Sequence, residues 1–272
     1  MADALPKFDA PPVVETVISV QFPPIANFSS PMAGWFWKNY VSKLDGEWNR
    51  VQEAPPIPDQ FELFGIDTGW ALPSLQLITG QLPGRTQIVR SDEERMIQVQ
   101  NSRVILNWKR GTGQYPSYTV LLPEFDAVFA QFMAFSRDAG FDEVVPNQWE
   151  ITYVNHLPRG ELWSSFDDLE NIFRDITPPK TIPLLSQTDT VNGNWRYIIG
   201  DNLGRLYASL THVRLPPEND EALRLQFVAR GSLASNAAAE MRKCFDLGHE
   251  VIVRTFAALT TPSAHKQWKR TQ

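Results

Sequence analysis

A single cysteine, Cys244, stands among 272 residues. It allows no intramolecular disulfide and no cysteine-based zinc site. Histidine is nearly as scarce. His156, His212, His249 and His265 are the four present, and no two of them fall at ligand spacing on one helix. Asp246 and His249, three apart and beside Glu250, would supply only part of a metal site, and a solvated helix face is the plainer reading. No run of about 18 apolar residues occurs, so no helical membrane span is expected. The opening MADALPKFDAPPVVE lacks the apolar core of a secretory signal. Positive charge is also in deficit, with 25 Lys and Arg against 31 Asp and Glu and a net charge of −6, whereas a general nucleic-acid binder concentrates cations. These absences describe a protein expected to be soluble and cytoplasmic, without metal or cofactor.

Catalytic motifs are missing too. VILNWKRGTGQYP (104–116) has the look of a phosphate loop. However, Gly111 and Gly113 are followed by Gln114, Tyr115 and Pro116, which cannot open the helix that phosphate cradles require. A strand-end turn displaying Lys109 and Arg110 is expected instead. There is no Gly-x-Ser-x-Gly elbow, kinase set or deaminase signature, and Cys244 falls within a helix stripe that reads as buried. No residue is therefore assigned a catalytic role.

Aromatic residues are abundant, with nine Trp and sixteen Phe. Their first use is core filling; Trp and Tyr also concentrate at binding hot spots. Along the chain, 13–22 alternates as a strand, 32–48 reads as a helix, and the proline-rich 53–60 as a connection. Strands are expected at 74–79, 86–90, 95–100 and 103–109, the last two joined at Asn101-Ser102. Phe125, Phe129, Phe132 and Phe135 make 124–141 a helix, capped at Gly140. A strand over 147–157 follows.

The second half reads similarly. A helix is expected over 164–176, with Ser165 and Asp168 as its capping signal, and strands near 184–190, 194–200, 205–213 and 222–230. A long helix over 236–259 ends the pattern, with Met241, Phe245, Gly248, Ile252 and Phe256 on one stripe. The fold class expected is α+β in two similar halves, 1–146 and 147–272, within one compact body. Each half would carry an antiparallel sheet with helices on one face, and the long C-terminal helix would close the chain.

Candidate binding residues follow from polar groups on aromatic faces. Trp108 precedes Lys109 and Arg110, and Tyr115 follows. In ITYVNHLPRG (151–160), Tyr153 and Asn155 share one strand face, while Val154 and His156 share the other. Asn155 is either a recognition anchor or a buried amide pinning backbone. In the tail SAHKQWKRTQ (263–272), Trp268 sits among Lys266, Lys269 and Arg270, as a partner contact or as a staple onto the body.

PPVVETVISVQF, IQVQNSRVILNWKR with its later YP, ITYVNHL and GHEVIVRTFAALTT with its later Trp follow one another across nearly the whole chain. In that order they resemble an uncharacterised, sporadically distributed prokaryotic family of similar length. That family carries no catalytic assignment to transfer. The resemblance implies horizontally mobile genes of the defence and toxin–antitoxin kind. The leading expectation is a non-catalytic binding or regulatory protein with a protein partner, homodimerisation being an alternative. An enzyme whose hydrolase-type site forms around His156 only in the fold, and a nucleic-acid binder using Lys109, Arg110 and the tail, are the competing readings.

Overall fold

The structure is a computed structural model that describes residues 4–64, 84–176, 182–233 and 238–272. Nine strands form it: β1 (Val13–Gln21), β2 (Trp48–Ala54), β3 (Arg85–Arg90), β4 (Arg95–Gln100), β5 (Arg103–Lys109), β6 (Gln148–Pro158), β7 (Asn192–Ile199), β8 (Gly204–Leu215) and β9 (Asp220–Ser232). They pair in one continuous antiparallel sheet, in the order β2-β3-β4-β5-β1-β6-β9-β8-β7. Among the described residues four α-helices accompany it: α1 (Ser30–Asn39), α2 (Tyr118–Asp138), α3 (Ala238–Leu259) and α4 (Pro262–Gln267).

This overturns the expected pair of similar halves, each with its own sheet and helices on one face. β1 pairs with β5 on one side and with β6 on the other, so the sheet runs unbroken past residues 146 and 147. Two separate sheets would each have left an edge of unpaired backbone groups there. Among the described residues the two sets of strands also differ, five against four. Between β6 and β7 the expected helix over 164–176 shrinks to a 3₁₀ turn at Phe166–Asn171, although the Ser165–Asp168 capping box is formed. The long helix does not close the chain. α3 ends at Leu259, Thr261 caps the short α4, and the tail returns to pair with the N-terminal segment through Phe8 and Arg270.

Other boundaries moved for local reasons. The helix expected over 32–48 stops at Asn39, and Trp48–Ala54 becomes the edge strand β2, which the following prolines terminate. α2 begins at Tyr118, six residues earlier than expected, with Pro123 inside it. The proline forfeits a backbone hydrogen bond, and burial of Tyr118, Leu121 and Leu122 outweighs that loss. No strand forms at 184–190. The strand expected at 74–79 lies outside the described residues.

One face of the sheet is apolar. Val20, Leu106, Trp149, Ile151, Leu225 and Phe227 from four strands join the phenylalanines of α2 and the stripe of α3 in a single core. α3 packs on β6 and β9, and α2 on β5. Gly248 sets how closely α3 sits: a Cβ there would lie 2.6 Å from the Trp149 ring and 2.7 Å from Ile151. Gly248→Val is expected to lose about 1–3 kcal/mol by overpacking, read as a lower urea midpoint at unchanged slope. An unaltered midpoint would mean that the helix is not seated that closely.

The opposite face is polar. Residues 57–62 cross it, held by side chains of the strands. Gln100 exchanges two hydrogen bonds with the Ile57 backbone, and Gln21 and Gln148 bind the Gln60 backbone. Glu62 is buried between Arg205 (2.6 Å), Arg230 (2.7 Å) and Tyr207 (2.8 Å). Burial alone would raise its pKa, but hydrogen bonds from Arg205, Tyr207 and Arg230 bring it below the ordinary carboxylate value.

Candidate functional site

On the apolar side, a pocket of about 550 Å³ opens between the N-terminal segment, the loop before α2, the middle of β6 and the inner face of α3. Each wall has a local cause. The N-terminal segment is fixed by Phe8, whose ring meets Phe256 and His265 edge-on, 5.4 and 5.5 Å between centroids. Backbone hydrogen bonds of Asp9 and Ala10 to Lys269 and Trp268 complete that attachment. Arg110 donates to the carbonyls of Pro11 and Val13, which pins the entry into β1. Ser117 holds a φ of 70° at the turn into α2, a conformation costing on the order of 1–3 kcal/mol that persists where surroundings impose it.

Polar groups inside the pocket form one connected set. The Tyr115 hydroxyl donates to that of Tyr153 (3.2 Å), which lies 2.8 Å from His249 Nδ1. With its oxygen already accepting from Tyr115, Tyr153 is placed to donate to Nδ1, leaving the histidine proton on Nε2. Tyr118 stacks on the imidazole at 4.1 Å between centroids, and its hydroxyl donates to Asp246 (2.8 Å). Asn155 donates to the Leu225 carbonyl (3.0 Å) and so ties β6 to β9 beside the pocket.

The Tyr115–Tyr153–His249 set is uncharged. Burial pushes His249 down to about 4, with Asp246 and Glu250 pulling partly the other way. Burial pushes Tyr115 up to about 12 and raises Tyr153 well above the usual phenol value. Near neutral pH the inner part of the pocket therefore presents neutral hydrogen-bonding groups against apolar walls supplied by Val13, Phe227, Ile252, Val253 and Phe256, with the exposed Lys7 and Asp9 at its rim.

The candidates read from the sequence do not all come together. Tyr115, Tyr153 and Asn155 meet in the pocket. Trp108 lies behind it, fully buried, with its ring 5.2 Å from that of Tyr115. Trp268 is buried against Phe256 and Phe8, as a staple for the tail. Arg110 is spent on backbone carbonyls. Lys109 lies on the polar face of the sheet, away from Tyr115 and Tyr153. His156 is half-buried near Arg224; burial first, and that cation second, lower its pKa. No carboxylate bonds to the His156 ring among the described residues. The glycine loop is a turn held by Glu94, which accepts from the Gly113 amide.

Sequence reading missed His249, Tyr118 and Phe8. The signal for His249 was present only as its spacing from Asp246, which suggested a metal rather than an aromatic stack. Nothing in the sequence places Tyr118 against His249, 131 positions away. Compared with known proteins, the chain matches no family model, and no curated protein is significantly similar to it.

Proposed function

We propose that this protein works by binding, as a non-catalytic regulatory component whose aromatic pocket takes an uncharged, partly apolar small molecule. The observation that carries this reading is the neutral Tyr115–Tyr153–His249 set within a cavity of about 550 Å³. A neutral network in an apolar enclosure rewards one polar group on the ligand and penalises a charge, which would be desolvated without a partner. A protein partner would then respond to the ligand-bound form.

The competing readings have less support. The enzyme version built on His156 lacks an acid partner among the described residues, and a base near pH 7 is not offered by His249, held down at about 4. The nucleic-acid version needs Lys109, Arg110 and the tail cations together, whereas Arg110 is committed to backbone and Lys109 faces the opposite side of the sheet.

The test uses N-phenyl-1-naphthylamine, a neutral fluorescent probe. The wild-type protein is expected to raise its emission. Val253→Trp, which fills the pocket from α3, should abolish that rise while thermal unfolding stays cooperative, and Val253→Ala should retain it. A silent wild type, or full binding by Val253→Trp, would remove the reading.

A further inference from the structure

Polar side chains crowd the sheet face away from the helices. Gln52 donates to Gln87 (2.7 Å), Gln87 to Gln98 (2.9 Å), Gln98 to Asn107 (2.6 Å) and Asn107 to Glu15 (2.7 Å). Amides from four strands thus point one way and end on a carboxylate of β1. Such a chain polarises its members cooperatively. Next to it lies a cavity of about 470 Å³, bounded in part by Ile57 and Gln60 of the crossing segment.

Charge in this cavity is unbalanced. Arg85, Arg103, Lys109 and Arg230 line it against Glu15 and Glu150. Both carboxylates are already engaged, Glu15 by Asn107 and Glu150 by Arg230 at 3.2 Å. Arg103 is 3% exposed; one of its terminal nitrogens donates to Gln21 (2.6 Å), but its buried Nε has no partner. Its nearest carboxylate oxygen, on Glu150, is 4.0 Å away. Arg85 is barer still. Its Nε is buried without a partner, and among the described residues its guanidinium makes no hydrogen bond or ion pair. Desolvation lowers the pKa of both groups. Lys109 is exposed, so the cavity reaches the surface on that side.

A desolvated cation without a close counter-ion is costly. Arg85 is half-buried with none among the described residues and Arg103 is buried with Glu150 at 4.0 Å, a cost that a bound anion beside them would offset. Guanidinium groups match phosphoryl and carboxyl oxygens in pairs. We propose that this cavity is a second binding site, for a small organic oxyanion. Arg85 and Arg103 hold its phosphoryl or carboxyl group, and Gln87, Gln98 and Asn107 meet its uncharged polar part.

Titration calorimetry at constant ionic strength, with inorganic phosphate, glucose 6-phosphate and citrate as probes, tests the site. At least one is expected to bind; citrate alone would identify a carboxylate site, and either phosphate probe a phosphoryl site. Arg85→Gln should weaken that binding at least about tenfold, the scale of one charge-assisted hydrogen bond. The same variant should unfold at an unchanged or higher temperature without ligand, because it removes a half-buried charge that has no partner. It should also bind N-phenyl-1-naphthylamine as the wild type does, which separates this site from the aromatic pocket. The proposal is overturned if none of the three probes binds, if Arg85→Gln binds as well as wild type, or if the ligand-free variant is less stable.

Discussion

Replacing Phe135 by alanine is expected to cost about 3–5 kcal/mol, the range for removing a fully buried phenylalanine from a packed core. Phe135 is completely buried on α2. Its ring centroid lies 5.4 Å from those of Trp35 and Phe36, 5.6 Å from Tyr40, and 5.8 Å from Phe132 and Phe141. Those rings come from α1, α2 and the loop beyond it, so the cavity left behind cannot collapse by moving one element. Phe129, on the same helix, is only partly buried, and its removal should cost distinctly less. For a chain of this size the Phe135 loss corresponds to a fall in Tm on the order of 10 °C. Equal losses at the two positions would show that α2 does not meet the core in this orientation.

Acid should weaken the protein through His249. Its folded pKa of about 4 lies below the unfolded value of 6.5. Unfolding therefore takes up a proton that the native state refuses. Stability from this group is complete above pH 6.5, declines as the pH falls, and levels off below about 4. The gap corresponds to about 3 kcal/mol at most, with the greater part gone by pH 5. His156 and His265 shift in the same direction, so the decisive quantity is the difference between wild type and His249→Gln. Urea midpoints between pH 7 and pH 5 should fall more steeply for the wild type. Parallel profiles would mean that His249 is protonated in the native pocket, and the neutral-ligand reading would lose its basis.

Much of the secondary structure was legible because it obeys local periodicity. Of the stripe Phe125, Phe129, Phe132 and Phe135, all but the partly buried Phe129 are buried, and Met241–Phe245–Gly248–Ile252–Phe256 is buried as its spacing requires. Alternation in 103–109 puts Val104, Leu106 and Trp108 in the core and Asn107 and Lys109 on the polar face. Legibility failed where a long-range partner overrode a local signal. β2 alternates poorly and is mostly exposed, existing because β3 offers it a ladder. Polar Gln98, Gln100 and Asn107 are buried by contacts with one another and with the segment near Ile57, none of which is encoded by spacing.

The candidate residues show the same division. Tyr115, Tyr153 and Asn155 stood out as polar groups on aromatic faces, and they do share a pocket. Trp268, read as either contact or staple, is a staple, a choice that depends on Phe8 at the other end of the chain.

The amino-acid sequence by itself determined which residues avoid water and which segments can be helix or strand, since those depend on side chains a few positions apart. Tertiary structure alone decided that β1 and β6 pair to merge the strands into one sheet. It alone set Tyr118 against His249, and left Arg85 unpaired among the described residues and Arg103 only loosely paired beside one cavity. Strand pairing and buried charge depend on which distant groups the fold brings within a few ångströms, and no local pattern specifies them.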